Sequence, residues 1–205
     1  MILALMLAAA APATAIDAER AFAADAQKSG QWTAFRKTAT KDALMFVPQP
    51  TNAQAWLKDR KDPPASVFWW PGRSYISCDG TVAFNTGPWV RGWGKQVGYF
   101  TTVWKRQSDG SWKWLLDHGD ALKTARAEGG DIRAEKATCP DARLPLPPRP
   151  QREVPQGVKY GGGSSRDGSL AWDWTVLPDG SRRFWASLWD GRHYKVIIDD
   201  KVAGE

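Results

Sequence analysis

Little in the 205 residues suits metal or redox chemistry: there are two cysteines, two histidines and three methionines. Cys78, Cys139, His118 and His193 show no ligand spacing, so the zinc patterns have no residues to rest on. No metal and no cofactor are expected. A phosphate loop, a dinucleotide fingerprint and a nucleophile elbow are also missing. The net charge of +6 is spread thinly, without the basic block that tracks phosphates, so no nucleic-acid partner is expected. The N-terminal apolar run, MILALMLAAAAPATA, is shorter than the ~20 residues a helix needs to cross a bilayer.

That run ends in Ala13-Thr14-Ala15, a small-residue pattern that suits signal-peptidase cleavage before Ile16. Its alternative is a buried N-terminal helix. The first reading makes the chain periplasmic or secreted, with no membrane contact after cleavage. In an oxidising compartment Cys78 and Cys139 can form one disulfide, which on the chain-entropy model stabilises the fold by about 4 kcal/mol. Two separate buried thiols are the alternative.

What the chain has in quantity is tryptophan, 13 residues. Trp is a large strand-former, so this abundance points to β-rich structure and broad aromatic surfaces. Asp17 to Thr38 has helical periodicity, with Ala18, Phe22 and Ala26 on one face, charges opposite, and Asp17 as N-cap. Ser29-Gly30 interrupts it, giving one kinked helix or two. A short turn over Thr40 to Leu44 and a helix over Asn52 to Lys58 follow. After Pro64 the period becomes two. Residues 67–77, 82–91, 96–106 and 111–118 are expected as strands, separated by the turn signals Asp79-Gly80, Gly92-Trp93-Gly94 and Asp109-Gly110. Pro71 and Pro88 imply edges or bulges.

Residues 140–156 hold six of the 14 prolines and read as an extended connector. Beyond GGGSSRDGS a meander is expected, with strands over 169–177, 181–189 and 192–199. The domain reading is a leader (1–15), an α+β domain (16–139), a connector (140–160) and a C-terminal β-meander (161–205).

Three segments carry a family resemblance: AERAFAADAQKSGQW, TATKDALMFVPQP and GYFTTVWKRQSDGSWKWLLDHGD. Asp42-Ala43-Leu44-Met45-Phe46 resembles an acidic–small–apolar step into a first strand. Trp104, Gln107, Gly110 and Trp112 match the spacing of a closing hairpin. Over residues 17–120 the chain resembles the nuclear-transport-factor-2-like superfamily, its SnoaL-like and ketosteroid-isomerase-like exported members in particular. The resemblance implies a cone-like α+β fold, N-terminal helices packed on a curved antiparallel sheet, with a pocket at the open end. His118 matches a final histidine position, but Asp120 stands where such members carry serine. The superfamily holds isomerases, cyclases and dehydratases as well as binding and assembly modules, so fold alone does not assign function.

Strand alternation over 111–118 places Trp112, Trp114, Leu116 and His118 on one face and Asp117 on the other. His118 at a pocket mouth suits general acid–base work; a structural histidine bonded to backbone is the competing reading. Asp120 reaches His118 only through a loop beyond Gly119. Asp42, Tyr75 and Tyr99 are the other candidates for acid–base chemistry, and Asp42 equally suits a solvated helix end. Trp69, Trp70, Trp89 and Trp114, with His118, are candidate ligand-binding residues, with core packing as the default. The expected function is binding of a small apolar or aromatic ligand. An acid–base isomerase, cyclase or dehydratase is the first alternative, and a homodimeric interaction module the second.

Overall fold

The computed structural model describes residues 12–126, 131–139, 141, 146–147, 154 and 156–204. Most of the expected leader and most of the proline-rich connector lie outside the described residues. Among the described residues no helix is long and apolar enough to cross a membrane.

The protein is α+β. Helices α1 (Ala15–Ser29) and α2 (Gln31–Thr38) precede an eight-stranded sheet, and α3 (Ala53–Leu57) lies between its second and third strands. Thr14, not Asp17, caps α1: its side chain accepts from the Asp17 N–H at 3.1 Å. Ala15 is already buried, and its carbonyl accepts from Asn85 Nδ2 at 2.7 Å. The folded structure therefore begins at or before the expected cleavage point. Gly30, at φ 102, separates α1 from α2, so the helical stretch is two helices. Asn52 caps α3, accepting from Ala55 N.

The large sheet comprises β1 (Ala39–Phe46), β2 (Pro50–Asn52), β3 (Phe68–Trp69), β4 (Arg73–Ile76), β5 (Val82–Arg91), β6 (Gln96–Arg106), β7 (Trp112–Leu122) and β8 (Arg133–Lys136). Its order is β2-β1-β7-β6-β5-β4-β8, with β3 also paired to β5. The expected all-antiparallel sheet is corrected to a mixed one, since β1–β7 and β4–β8 are parallel. The turn expected over Thr40 to Leu44 is part of β1. The strand expected over 67–77 breaks at Pro71 into β3 and β4; the proline supplies no N–H there. The last core strand runs four residues beyond His118, so Gly119 and Asp120 belong to β7 and not to a loop.

The C-terminal sheet has four strands, ordered β12 (Tyr194–Val202), β11 (Arg182–Trp189), β10 (Leu170–Val176) and β9 (Lys159–Ser164). The glycine run expected before the meander is its fourth strand. Glycine is required there because Trp174 and Trp172 lie against the backbone. A Cβ on Gly161 or Gly163 would come within 2.5 Å of an indole.

The helices cover one face of the large sheet and the C-terminal sheet covers the other. Phe22 of α1 meets Phe35 (4.7 Å), Trp69 (4.9 Å) and Trp104 (6.1 Å) edge to face on the first side. Phe84 meets Trp172 (5.8 Å) and Phe184 (6.3 Å) on the second. Both faces of β5 and β6 are therefore buried, from Val82 to Pro88 and from Gly98 to Trp104. A disulfide joins Cys78 to Cys139. Beside it, the Asp79 N–H donates to Asp167 Oδ2 (2.9 Å) and the Asp167 N–H to Asp79 Oδ2 (3.2 Å), tying the turns of the two sheets together.

Candidate functional site: an aromatic cavity bordered by Asp117

The helical period of α1 buries Ala15, Ala18, Glu19, Phe22, Ala23 and Ala26. Glu19, expected among the charges facing solvent, is fully buried in this stripe. A buried carboxyl needs hydrogen-bond donors or a proton. Trp69 Nε1 donates to Oε1 at 2.8 Å, Trp104 Nε1 to Oε2 at 2.6 Å, and Asn85 Nδ2 to Oε2 at 3.4 Å. Burial outweighs these donors and pushes the Glu19 carboxyl from 4.5 up to about 7, and the charge of Asp117 adds to the rise.

Asp117 reaches the same side because β7 carries a bulge. The register shifts between Val103 and Trp104, so Trp104 faces Trp114 while Val103 faces Leu116. The extra residue reverses the alternation expected over 111–118. Trp112 and Trp114 join the helix-side core, whereas Leu116 joins the core between the sheets. Asp117 pairs with Thr102, whose hydroxyl donates to Oδ2 at 3.2 Å. Burial pushes Asp117 up to about 7.

A cavity of about 250 Å³ lies next to Asp117, bordered by Trp32, Phe35, Met45, Trp69, Trp89 and Phe100. It forms where the sheet opens: pairing of β1 with β7 ends at Met45 and Asp117, while β7 continues to Leu122. Asp117 retains partial exposure and borders this space, whereas Glu19 has none and does not border it. Asp120 borders it further along β7, its Oδ1 accepting from the Ala121 N–H at 2.8 Å. A carboxyl titrating near 7 in an apolar pocket can accept or donate a proton near neutral pH. Among the described residues no three His, Cys, Asp or Glu side chains cluster to hold a metal.

The bulge also relocates His118. Its ring stacks on Phe184 of β11 (5.4 Å), so it packs against the C-terminal sheet. Nδ1 accepts from Arg182 Nε at 3.3 Å, and Nε2 lies 3.9 Å from Asp200 Oδ2 without a hydrogen-bond partner among the described residues. Burial, then the cations Arg182 and Arg126, push His118 down to about 3. It borders the cavity as a neutral ring, 2% exposed, and burial makes it a weaker base than a free imidazole.

Tyr99 lies on the His118 side of the sheet, with the Arg126 guanidinium 3.8 Å over its ring. Burial, with the charges of Asp200 and Asp120, pushes its phenol above the usual range. Asp42 is exposed on β1 and does not border the cavity, and Tyr75 packs between the sheets. Of the candidate tryptophans, Trp69 and Trp89 border the cavity, their N–H groups already given to Glu19 and to the Tyr99 carbonyl (3.0 Å). Trp114 is fully buried in the helix-side core, and Trp70 leans on Phe68 (5.7 Å) away from the cavity. Sequence reasoning missed Glu19, although a glutamate at the centre of the stripe Ala15-Ala18-Glu19-Phe22 is itself the signal.

Fold and site together define an α+β protein with a mixed curved sheet and a carboxyl-bearing aromatic cavity. No family model and no curated protein matches the chain. Among solved structures, it is similar to a proposed ketosteroid isomerase from Parabacteroides distasonis, at 18% identity over 54% of this chain and 89% of that one, TM-score 0.43. A proposed ketosteroid isomerase from Shewanella frigidimarina is similar at 16% identity over 52% and 95%, TM-score 0.37. A proposed aromatic ring hydroxylase from Novosphingobium aromaticivorans is similar at 14% over 51% and 84%, TM-score 0.36.

Proposed function

We propose that the cavity binds a small, flat, largely apolar molecule and that Asp117 moves a proton on it. The observation behind this reading is the Asp117 carboxyl, raised to about 7, bordering an aromatic space. Burial supplies the rise, so the carboxylate is basic enough to take a proton from carbon beside a carbonyl and return it elsewhere. The reaction class is then isomerisation through an enol, with Glu19 as a positioning residue that holds Trp69 against the cavity. A cone-like closure of the sheet around the helices and export through an N-terminal leader cleaved ahead of Thr14, the cap of α1, belong to the same reading. The Cys78–Cys139 bridge supports an oxidising compartment.

The test uses a panel of planar ketones and enones, with binding read by native mass spectrometry and deuterium wash-in by NMR. Binding to the wild type and to Asp117→Asn, with wash-in only in the wild type, is expected. Binding with equal wash-in in both removes the catalytic role and leaves a binding protein. No bound ketone or enone in either protein overturns the reading.

A further inference from the structure

The hairpin joining β5 to β6 turns over Gly92-Trp93-Gly94-Lys95, after the last pair Arg91 and Gln96. Gly92, Trp93 and Gly94 all have positive φ, at 59°, 59° and 85°. Bulky residues rarely adopt this left-handed backbone, yet here it carries a tryptophan. Trp93 is 104% exposed, so no packing within the described fold accounts for it. The cations Arg91 and Lys95 flank it, and Lys123 follows Leu122, the partner of Val97 across the sheet. All three are exposed, and none enters the ion pairs formed among the described residues. Residues 81–106 contain no aspartate or glutamate. Phe68, paired with Val90 beside the tip, is 52% exposed.

We propose that this tip docks on an anionic phospholipid surface, in contrast to the expectation of no membrane contact. An indole has an apolar body and one N–H, which suits the boundary between headgroups and acyl chains. Unpaired lysine and arginine beside it match the negative surface potential. Charge of one sign, one fully exposed aromatic and a backbone that holds it outward favour this partner over a second copy of the chain, whose tip would carry the same cations. Trp89, Gly98 and Ala121 lie side by side across β5, β6 and β7, two or three residues from the tip, and Trp89 and Ala121 border the cavity. Docking therefore brings the cavity end of the molecule to the lipid. That an apolar ligand enters from the bilayer rests on the proposed function; the docking itself does not.

The experiment is co-sedimentation of the full chain with vesicles of phosphatidylcholine alone, or mixed with phosphatidylglycerol, at low and high salt. The expected result is partition onto the phosphatidylglycerol vesicles that falls as salt rises. Removing two cations in Arg91→Gln/Lys95→Gln lowers partition about 25-fold, roughly fivefold for each. Trp93→Ala lowers it about tenfold or more. Circular dichroism is expected to show both variants folded, because these side chains are exposed. Partition indifferent to phosphatidylglycerol, or unchanged in both variants, overturns the proposal. So does a concentration-dependent dimer that Trp93→Ala abolishes. Ketone binding in the cavity without vesicle partition defeats the docking alone, and partition without ketone binding defeats the cavity reading alone.

Discussion

Replacing Glu19 with glutamine tests the account of the site most directly. In the folded protein burial raises this carboxyl from 4.5 to about 7, so the folded state binds its proton more tightly than the unfolded chain does. The stability this confers is fully present below about pH 4.5 and is lost as pH rises through 7. A shift of this size corresponds to about 3 kcal/mol between those limits, since each unit is worth about 1.4 kcal/mol. Glutamine removes the titration at a different cost. Its oxygen can accept from only one of the two indole N–H groups that converge on Glu19, and its own N–H faces the other. The unpaired donor costs about 1–3 kcal/mol at every pH. Urea unfolding at pH 5 and pH 8 separates the two effects. The wild type is expected to lose stability on going to pH 8, and Glu19→Gln to lose about 3 kcal/mol less over the same interval while being weaker at pH 5. Equal losses in both proteins would show that Glu19 does not titrate in this window, and the argument from burial would fail.

His118 behaves in the opposite sense: its folded value lies below 6.5, at about 3, so its stabilisation is present above pH 6.5 and is lost as pH falls. His118→Phe should flatten the acid limb of a stability profile, as read by urea unfolding from pH 7 to pH 4. Reducing the Cys78–Cys139 bridge, whose sequence separation is 61, should lower stability by about 4 kcal/mol, measured as the shift in urea midpoint with and without reductant. Gly161→Ala forces a methyl against the Trp174 indole and should destabilise by about 1–3 kcal/mol in thermal unfolding, whereas Gly110→Ala in an open turn should act only through its backbone angle.

Much of the architecture was legible because its signals are local. Asp-Gly turns delimit β5, β6, β10 and β11, and period-two alternation marks their spans. The break at Gly30 follows from the backbone freedom of glycine. The site was legible only in fragments. Trp69 and Trp89 border the cavity, yet Trp70 and Trp114 have the same composition and similar neighbours and do not, because strand break and bulge decide which way each points. Glycines 161 to 163 resemble a linker until the indoles that require them are placed across the strand.

The sequence by itself determined the alternation of helices and strands, the positions of the turns and the excess of aromatic side chains, all set by interactions a few residues long. Only the tertiary structure decided the chemistry. One inserted residue in β7 exchanges the sides of Asp117 and His118, and a second sheet packed over the first buries the histidine. The sheet beneath α1 turns Glu19 from a solvated charge into a buried acid. Side-chain direction and proton affinity depend on what lies across the fold, and no local pattern carries that.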